Sequence, residues 1–166
     1  MVATHMEELF LRAYDDYADA IFRHCFFRVR DREVAKDLTQ DTFLRTWRAL
    51  GRGVKIDNIR AFLYRVALNL VIDYSQKKKM LSLDTLAEDG FEPGLDNSEK
   101  LQNFLDGSRA LERLEEIGPK YRDAVYLRYV EELSPQEIAD ILGENENTIS
   151  VRIHRGVEKL RELLES

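Results

Sequence analysis

Residues 134–164, SPQEIADILGENENTISVRIHRGVEKLRELL, spell two helices and the sharp turn between them. Ser134 offers a hydroxyl to the free amides of a helix start, and Pro135 suits the first helical position. Glu137, three residues after Ser134, completes a capping box. Ile138, Ala139 and Leu142 give one apolar face over about two turns, and Gly143 is the residue best able to take the left-handed conformation that ends a helix. Asn145 then caps a second helix whose apolar residues Ile149, Ile153, Val157, Leu160 and Leu164 recur at helical steps. The pattern predicts a helix-turn-helix.

The other face of that second helix carries Asn147, Ser150, Arg152, His154, Arg155 and Lys159. In a helix-turn-helix the second helix lies in the DNA major groove, where its early polar side chains reach base edges and phosphates. An αα-hairpin that only packs would share the apolar spacing. The short first helix, the tight turn and the polar first turn of the second helix together favour the DNA-binding motif.

Composition bounds the remainder. The chain has 166 residues, 44% hydrophobic and 34% charged, enough for one domain or two small ones with a buried core. The single Cys25 forms no internal disulfide and no thiolate metal cluster; it fits a reducing compartment and reads as a small buried hydrophobe. No apolar run approaches the ~20 residues of a membrane span, and the amino terminus lacks the basic-then-apolar order of a signal peptide. No membrane insertion and a cytoplasmic location are expected. The net charge of -6 is the wrong sign for a DNA binder, so its distribution matters. Residues 81–106 hold Asp84, Glu88, Asp89, Glu92, Asp96, Glu99 and Asp106 against Lys100 alone, whereas Arg60, Arg65, Lys77, Lys78 and Lys79 face only Asp73.

The fold class expected is all-α. The first helix runs from about Met6 to Arg30 with Phe10, Tyr14, Tyr17, Ile21 and Cys25 near one stripe. Asp31 caps a second carrying Val34, Leu38, Phe43, Leu44 and Trp47 and ending at Gly51. Asp57 or Asn58 caps a third, with Ile59, Phe62, Leu63, Val66, Leu70 and Tyr74, which finishes in Lys77 to Lys79, where positive charge suits a helix carboxyl end. Gly90, Pro93, Gly94 and Asn97 lie among the acids of 81–106 without periodicity, as in a flexible linker. Ser108 opens a short helix with Leu111, Leu114 and Ile117, and Gly118-Pro119 breaks it before a helix with Ala124, Val125, Leu127, Tyr129 and Val130. Two small helical domains, residues 1–78 and 107–166, are thus expected on either side of a flexible acidic linker, residues 79–106.

Nothing in the chain suggests catalysis, a metal or a cofactor. Asp15, Asp16, Asp19 and His24 share the first helix, but Asp19 and His24 are five apart and do not converge. There is no glycine-rich phosphate loop, nucleophile elbow or paired Cys or His motif. In Asp37-Leu-Thr-Gln-Asp-Thr-Phe-Leu-Arg-Thr-Trp47, core positions Leu38 and Leu44 alternate with a polar ridge of Asp37, Gln40, Asp41 and Arg45, suited to a partner helix. In Ala61 to Tyr74 aromatics, an amide and cations share one helix, a combination suited to single-stranded nucleic acid, with bases on rings and phosphates on Lys and Arg.

Taken in order, these segments resemble the compact bacterial sigma factors of the extracytoplasmic-function (ECF) group, and the resemblance covers nearly the whole chain. It implies that Asp37 to Trp47 (Asp37, Gln40, Asp41, Leu44, Arg45 and Trp47) docks on the clamp helices of the RNA polymerase largest subunit. Phe62 to Tyr74 would capture the melted −10 promoter element. There the loop from Gly51 to Asp57 would receive an extruded base, Asn69 would offer its amide, and Arg60, Tyr64, Arg65, Lys77 and Lys78 would complete the surface. Pro119 to Tyr129 and the helix-turn-helix would bind the −35 element as duplex, through Asn147, Thr148, Ser150, Arg152, His154, Arg155 and Lys159.

Contacts to core RNA polymerase, its flap included, to promoter DNA and to an anti-sigma factor are implied in the same way. The acids of the linker serve either as a nucleic-acid mimic or as a solvated spacer. The chain departs from many relatives in having Phe62 in place of Trp, and Asn147-Thr148-Ile149-Ser150 in place of Gly-Thr-Val and a basic residue. Glu144 and Glu146 favour the helix dipole but repel phosphates. Two other readings stay open: a helix-turn-helix regulator that needs no polymerase, and a sigma-like adaptor without promoter recognition.

Overall fold

The computed structural model describes residues 2–85 and 109–165. The linker features from residue 86 to 107 and the Ser108 cap lie outside the described residues. The chain divides into two compact units, Met1–Ser98 and Glu99–Ser166, and every described element is helical.

The amino-terminal unit consists of α1 (Val2–Val29), α2 (Arg32–Gly51) and α3 (Ile59–Thr85), each packed on the other two. The chain reverses between α1 and α2 through Arg30, whose φ of 56° is left-handed, and Asp31, whose carboxylate accepts from the Glu33 and Val34 amides at 3.0 and 3.2 Å. Of the two candidate caps for α3, Asn58 acts: its side-chain oxygen accepts from the Ala61 amide at 3.0 Å. Ile21, Cys25, Phe26 and Phe27 of α1 meet Ala35, Thr39, Thr42, Phe43 and Thr46 of α2, and Leu63, Tyr64, Ala67 and Val71 of α3, in the core.

Three expectations are corrected here. First, α1 begins at Val2 instead of Met6, and α3 continues past Lys79 to Thr85, so residues 79–85 are helix and not linker. Lys, Met and Leu are good helix formers, and no Gly or Pro interrupts before Gly90. Second, Leu44 is not a core position; it is 45% exposed, and Trp47 is 37% exposed. The buried side of α2 runs instead through three threonines. Thr39, Thr42 and Thr46 return their hydroxyls to the carbonyls of Ala35, Leu38 and Thr42 at 2.7, 2.7 and 2.9 Å, which makes them compatible with a core. Third, Tyr64 is fully buried, its ring edge-on to His24 at 5.3 Å.

His24 is likewise buried, and burial, with the positive charge of Arg28 adding to it, holds its imidazole well below the ordinary histidine range. Its unfolded form therefore binds a proton first as pH falls below about 6.5. Stability contributed by neutral His24 is complete above that pH. Below it, the amino-terminal unit should lose about 1.4 kcal/mol per pH unit until the folded-state pKa is reached. Urea unfolding from pH 7.5 downward checks this, and His24→Phe should flatten the profile below pH 6.5; an unchanged slope would remove His24 as its source. Burial also pushes the Cys25 thiol up to about 12, against the smaller opposing effects of its hydrogen bond with Thr39 and the charge of Arg28, so it is no nucleophile near neutral pH.

The carboxyl-terminal unit comprises α4 (Arg109–Arg113), a 3-10 turn (Leu114–Ile117), α5 (Pro119–Tyr129), α6 (Pro135–Leu142) and α7 (Glu146–Glu165). Its core gathers Leu114, Val125, Tyr126, Leu127, Leu133, Ile138, Ile141, Ile149 and Ile153. On α5 Ala124, Val125 and Leu127 are buried as expected, but Tyr126 is also fully buried and Tyr129 is 60% exposed. The Tyr126 hydroxyl donates to Glu131 Oε1 at 3.0 Å, which lets that buried carboxylate sit beneath the turn into α6. The next residue, Glu132, has φ 57°. A left-handed side chain here is strained, so Glu132→Gly should stabilise this unit by about 0.5–1 kcal/mol, read as a higher urea midpoint at unchanged slope.

Candidate nucleic-acid interface

The helix-turn-helix forms as its local chemistry demands. The Glu137 amide donates to Ser134 Oγ and the Ser134 amide donates to Glu137 Oε1, both at 3.1 Å, so the capping box is closed. Gly143 takes φ 69°, and the Glu144 amide donates to the Ala139 carbonyl at 3.0 Å to end α6. Asn145 caps α7 through the Thr148 amide at 2.8 Å. The buried side of α7 passes through Ile149, Ile153 and Gly156, while Leu164, expected in the stripe, is 39% exposed.

Asn147, Thr148, Val151, Arg152 and Arg155 of α7 line an open hollow together with Lys120 and Tyr121 of α5. Four of the seven expected −35 residues thus converge there, and Lys120 and Tyr121 join them from a different helix. Ser150 and His154 are exposed but do not line the hollow, and His154 Nε2 lies 3.1 Å from Glu158. Lys159 places its ammonium over the Tyr121 ring at 5.2 Å. Arg152 is held by Glu144: Nη2 meets Oε1 at 3.0 Å, across eight residues of sequence. The Glu144 carboxylate is therefore tied to the polar face of α7.

In the amino-terminal unit, Asp41, Arg45, Arg48, Ala49 and Arg52 of α2 and its cap line a second open groove with Phe62, Val66 and Asn69 of α3. An exposed amide, a half-buried ring and three guanidinium groups meet there, the chemistry that a single strand with stacked bases and phosphates requires. Of the expected −10 residues, Asn69 lies in this groove. Arg60 stacks on Tyr17 at 6.0 Å, and Arg65, Lys77 and Lys78 are exposed elsewhere on α3. Tyr64 is withdrawn from the set because its buried ring has no face to offer a base. Arg48 and Arg52 are not among the expected residues; Asp41, Arg45, Arg48 and Arg52 follow one another at steps of four, three and four in the sequence, but their union with Phe62 and Asn69 arises only from helix packing.

A third surface is apolar. Phe10 and Leu11 of α1 and Leu44 and Trp47 of α2, with Glu7 at the rim, line a hollow, whereas the Arg45–Asp41 pair, closed at 3.3 Å, belongs to the second groove. Phe10 supports Trp47 edge-on at 5.1 Å, and Leu11 is 61% exposed. Exposed large hydrophobic residues that cluster mark an interaction surface. Asp37 and Gln40 are exposed on the same helix. Among the described residues no group of three or more His, Cys, Asp and Glu could hold a metal, and no helix is long and apolar enough to cross a membrane.

A helix-turn-helix with a polar hollow, a cationic groove with a ring and an amide, and an apolar hollow stand together on an all-α chain. The Sigma-70 region 2 family matches residues 13–80 and the Sigma-70, region 4 family matches residues 108–160. The chain is 32% identical over 163 residues to the RNA polymerase sigma factor CarQ of Myxococcus xanthus, covering 92% of this chain and 91% of CarQ. It is 31% identical over 160 residues to the ECF RNA polymerase sigma factor BldN of Streptomyces coelicolor, covering 95% of this chain and 61% of BldN. The chain therefore belongs to the ECF RNA polymerase sigma factors. It spans only about three fifths of the length of BldN. The fold is that of a solved sigma factor RpoE, crystallised with the anti-sigma factor NepR from Bartonella quintana: the TM-score is 0.69 at 23% identity, covering 94% of this chain and 96% of that one.

Proposed function

We propose that this chain binds core RNA polymerase, directs it to a subset of promoters and helps to open them, with no catalytic activity of its own. The observation that carries the reading is the pairing, in one short chain, of the hollow around Asn147, Arg152 and Arg155 with the groove around Phe62 and Asn69. One suits duplex and the other suits a melted strand. In this reading the hollow takes the −35 element, with Ser150, His154 and Lys159 at its margins. The groove and the loop from Gly51 to Asp57 take the −10 element, with Arg60, Arg65, Lys77 and Lys78 attracting the strand. Asp37, Gln40, Asp41, Leu44, Arg45 and Trp47, extended by Phe10 and Leu11, dock on the polymerase clamp.

The modest charge of α7 suits this division, because affinity is shared between two DNA contacts and a polymerase contact. The protein acts where polymerase acts, in the cytoplasm, and an anti-sigma factor that covers these faces is its regulator. The test adds purified protein to core RNA polymerase and a promoter library and sequences run-off transcripts. Transcripts that require the protein are expected. Duplex binding without such transcripts would favour a polymerase-independent regulator, and polymerase binding without them an adaptor.

A further inference from the structure

Glu144 sits between two pinned points. Its own amide is held by the Ala139 carbonyl at 3.0 Å, and the next residue, Asn145, is held as the cap of α7. The carboxylate is thereby aimed along α7 onto Arg152 Nη2 at 3.0 Å. The Arg152 side chain is only 16% exposed, although it lines the same hollow as Arg155. Arg155 is exposed and has no carboxylate partner among the described residues. The two arginines of one reading surface thus differ in net charge: the Arg152–Glu144 pair is neutral, and Arg155 is a full cation.

We propose that Glu144 is a specificity-determining positioning residue, which withholds Arg152 from phosphates and reserves it for a base edge. The inference rests on the reading of α6 and α7 as the duplex-reading element. Non-specific affinity comes from cations that displace counterions at phosphates, and a neutral pair displaces none. A guanidinium has five N–H donors, and the contact with Glu144 Oε1 engages one nitrogen, so the remaining fork can still meet acceptors on a guanine. Holding the side chain in place also lowers the ordering cost of that contact. Arg155 supplies phosphate attraction, and Arg152 supplies discrimination.

The test uses the full chain and two fluorescent duplexes, one of mixed sequence and one selected by the wild-type protein from a random library, titrated over a range of salt. Glu144→Gln should steepen the salt dependence for mixed duplex by about 0.9 in log–log slope, the signature of one added phosphate contact. It should also raise mixed-duplex affinity about fivefold and lower the selected-to-mixed ratio by a similar factor. Glu144→Gln combined with Arg152→Ala, which leaves the position neutral, should lower that ratio but keep the slope at its wild-type value, whereas Arg152→Ala alone bares the Glu144 carboxylate and should also weaken mixed-duplex binding. Arg155→Ala should lower the slope by about 0.9 in both backgrounds.

An unchanged slope in Glu144→Gln, or a slope below wild type in the Glu144→Gln, Arg152→Ala double variant, would overturn the proposal. So would a parallel loss of both affinities in Glu144→Gln, the mark of a loosened turn. If the wild-type chain binds no duplex even at low salt, the duplex-reading assignment itself fails and takes the inference with it.

Discussion

Leu44→Glu is expected to lower the affinity of this chain for core RNA polymerase about a hundredfold while leaving its fold intact. Leu44 is 45% exposed, so a carboxylate there costs the free protein little. In a complex that covers the hollow of Phe10, Leu11, Leu44 and Trp47, the same carboxylate would be desolvated without a partner. The aromatic layer beneath explains why the site is firm enough to act as an anchor. Phe10 meets Phe43 edge-on at 6.1 Å and Trp47 at 5.1 Å, and Tyr14 meets Phe43 at 5.0 Å, with Phe43 itself buried. Titration against labelled core polymerase measures the loss, and a thermal melt confirms the fold. Affinity within twofold of wild type would remove the apolar hollow from the polymerase surface.

Gly156→Ala should destabilise the carboxyl-terminal unit by about 2 kcal/mol and weaken duplex binding with it. Gly156 faces α5 where the two helices approach closely. A Cβ would fall 2.5 Å from Val125 Cγ2 and 3.4 Å from both Cβ and the carbonyl oxygen of Tyr121. Val125 is branched and 4% exposed, so it cannot swing aside, and the helices must part. The same displacement would move Arg152 and Arg155 relative to Lys120 and Tyr121. Adding Val125→Ala should restore part of the loss, because it removes the atom in conflict. Urea unfolding of the single and double variants gives the coupling directly; additive losses would contradict the proposed contact.

The parts of this fold legible in the sequence are those governed by neighbours in the chain. Ser134, Glu137, Gly143, Asn145 and Asp31 act at helix ends through bonds that span two to five residues, and each falls where its chemistry predicts. Periodicity was less decisive wherever a helix touches two others. On α2 the apolar residues Leu44 and Trp47 face outward and three threonines face inward, because a hydroxyl bonded to its own helix packs well enough between α1 and α3. Tyr64 shows the same limit from the other side, an aromatic that suits a base in composition but is buried against His24. Much of the candidate site was legible as residue types on α7 and α3. What joins them is not: the Glu144–Arg152 bond, the close approach of Gly156 to Val125, and the groove that Arg48 and Arg52 share with Asn69 arise from packing or from a turn.

In the proposed function one chain reads a promoter twice, as duplex and as melted strand, through separate units. Its most direct test is run-off transcription from a randomised promoter library by core polymerase loaded with wild type, Asn69→Ala or Arg155→Ala. Transcripts dependent on the wild-type chain should share two upstream sequence blocks, Arg155→Ala should relax only the distal block, and Asn69→Ala should relax only the proximal one. A single block, or two variants that alter the same block, would contradict it.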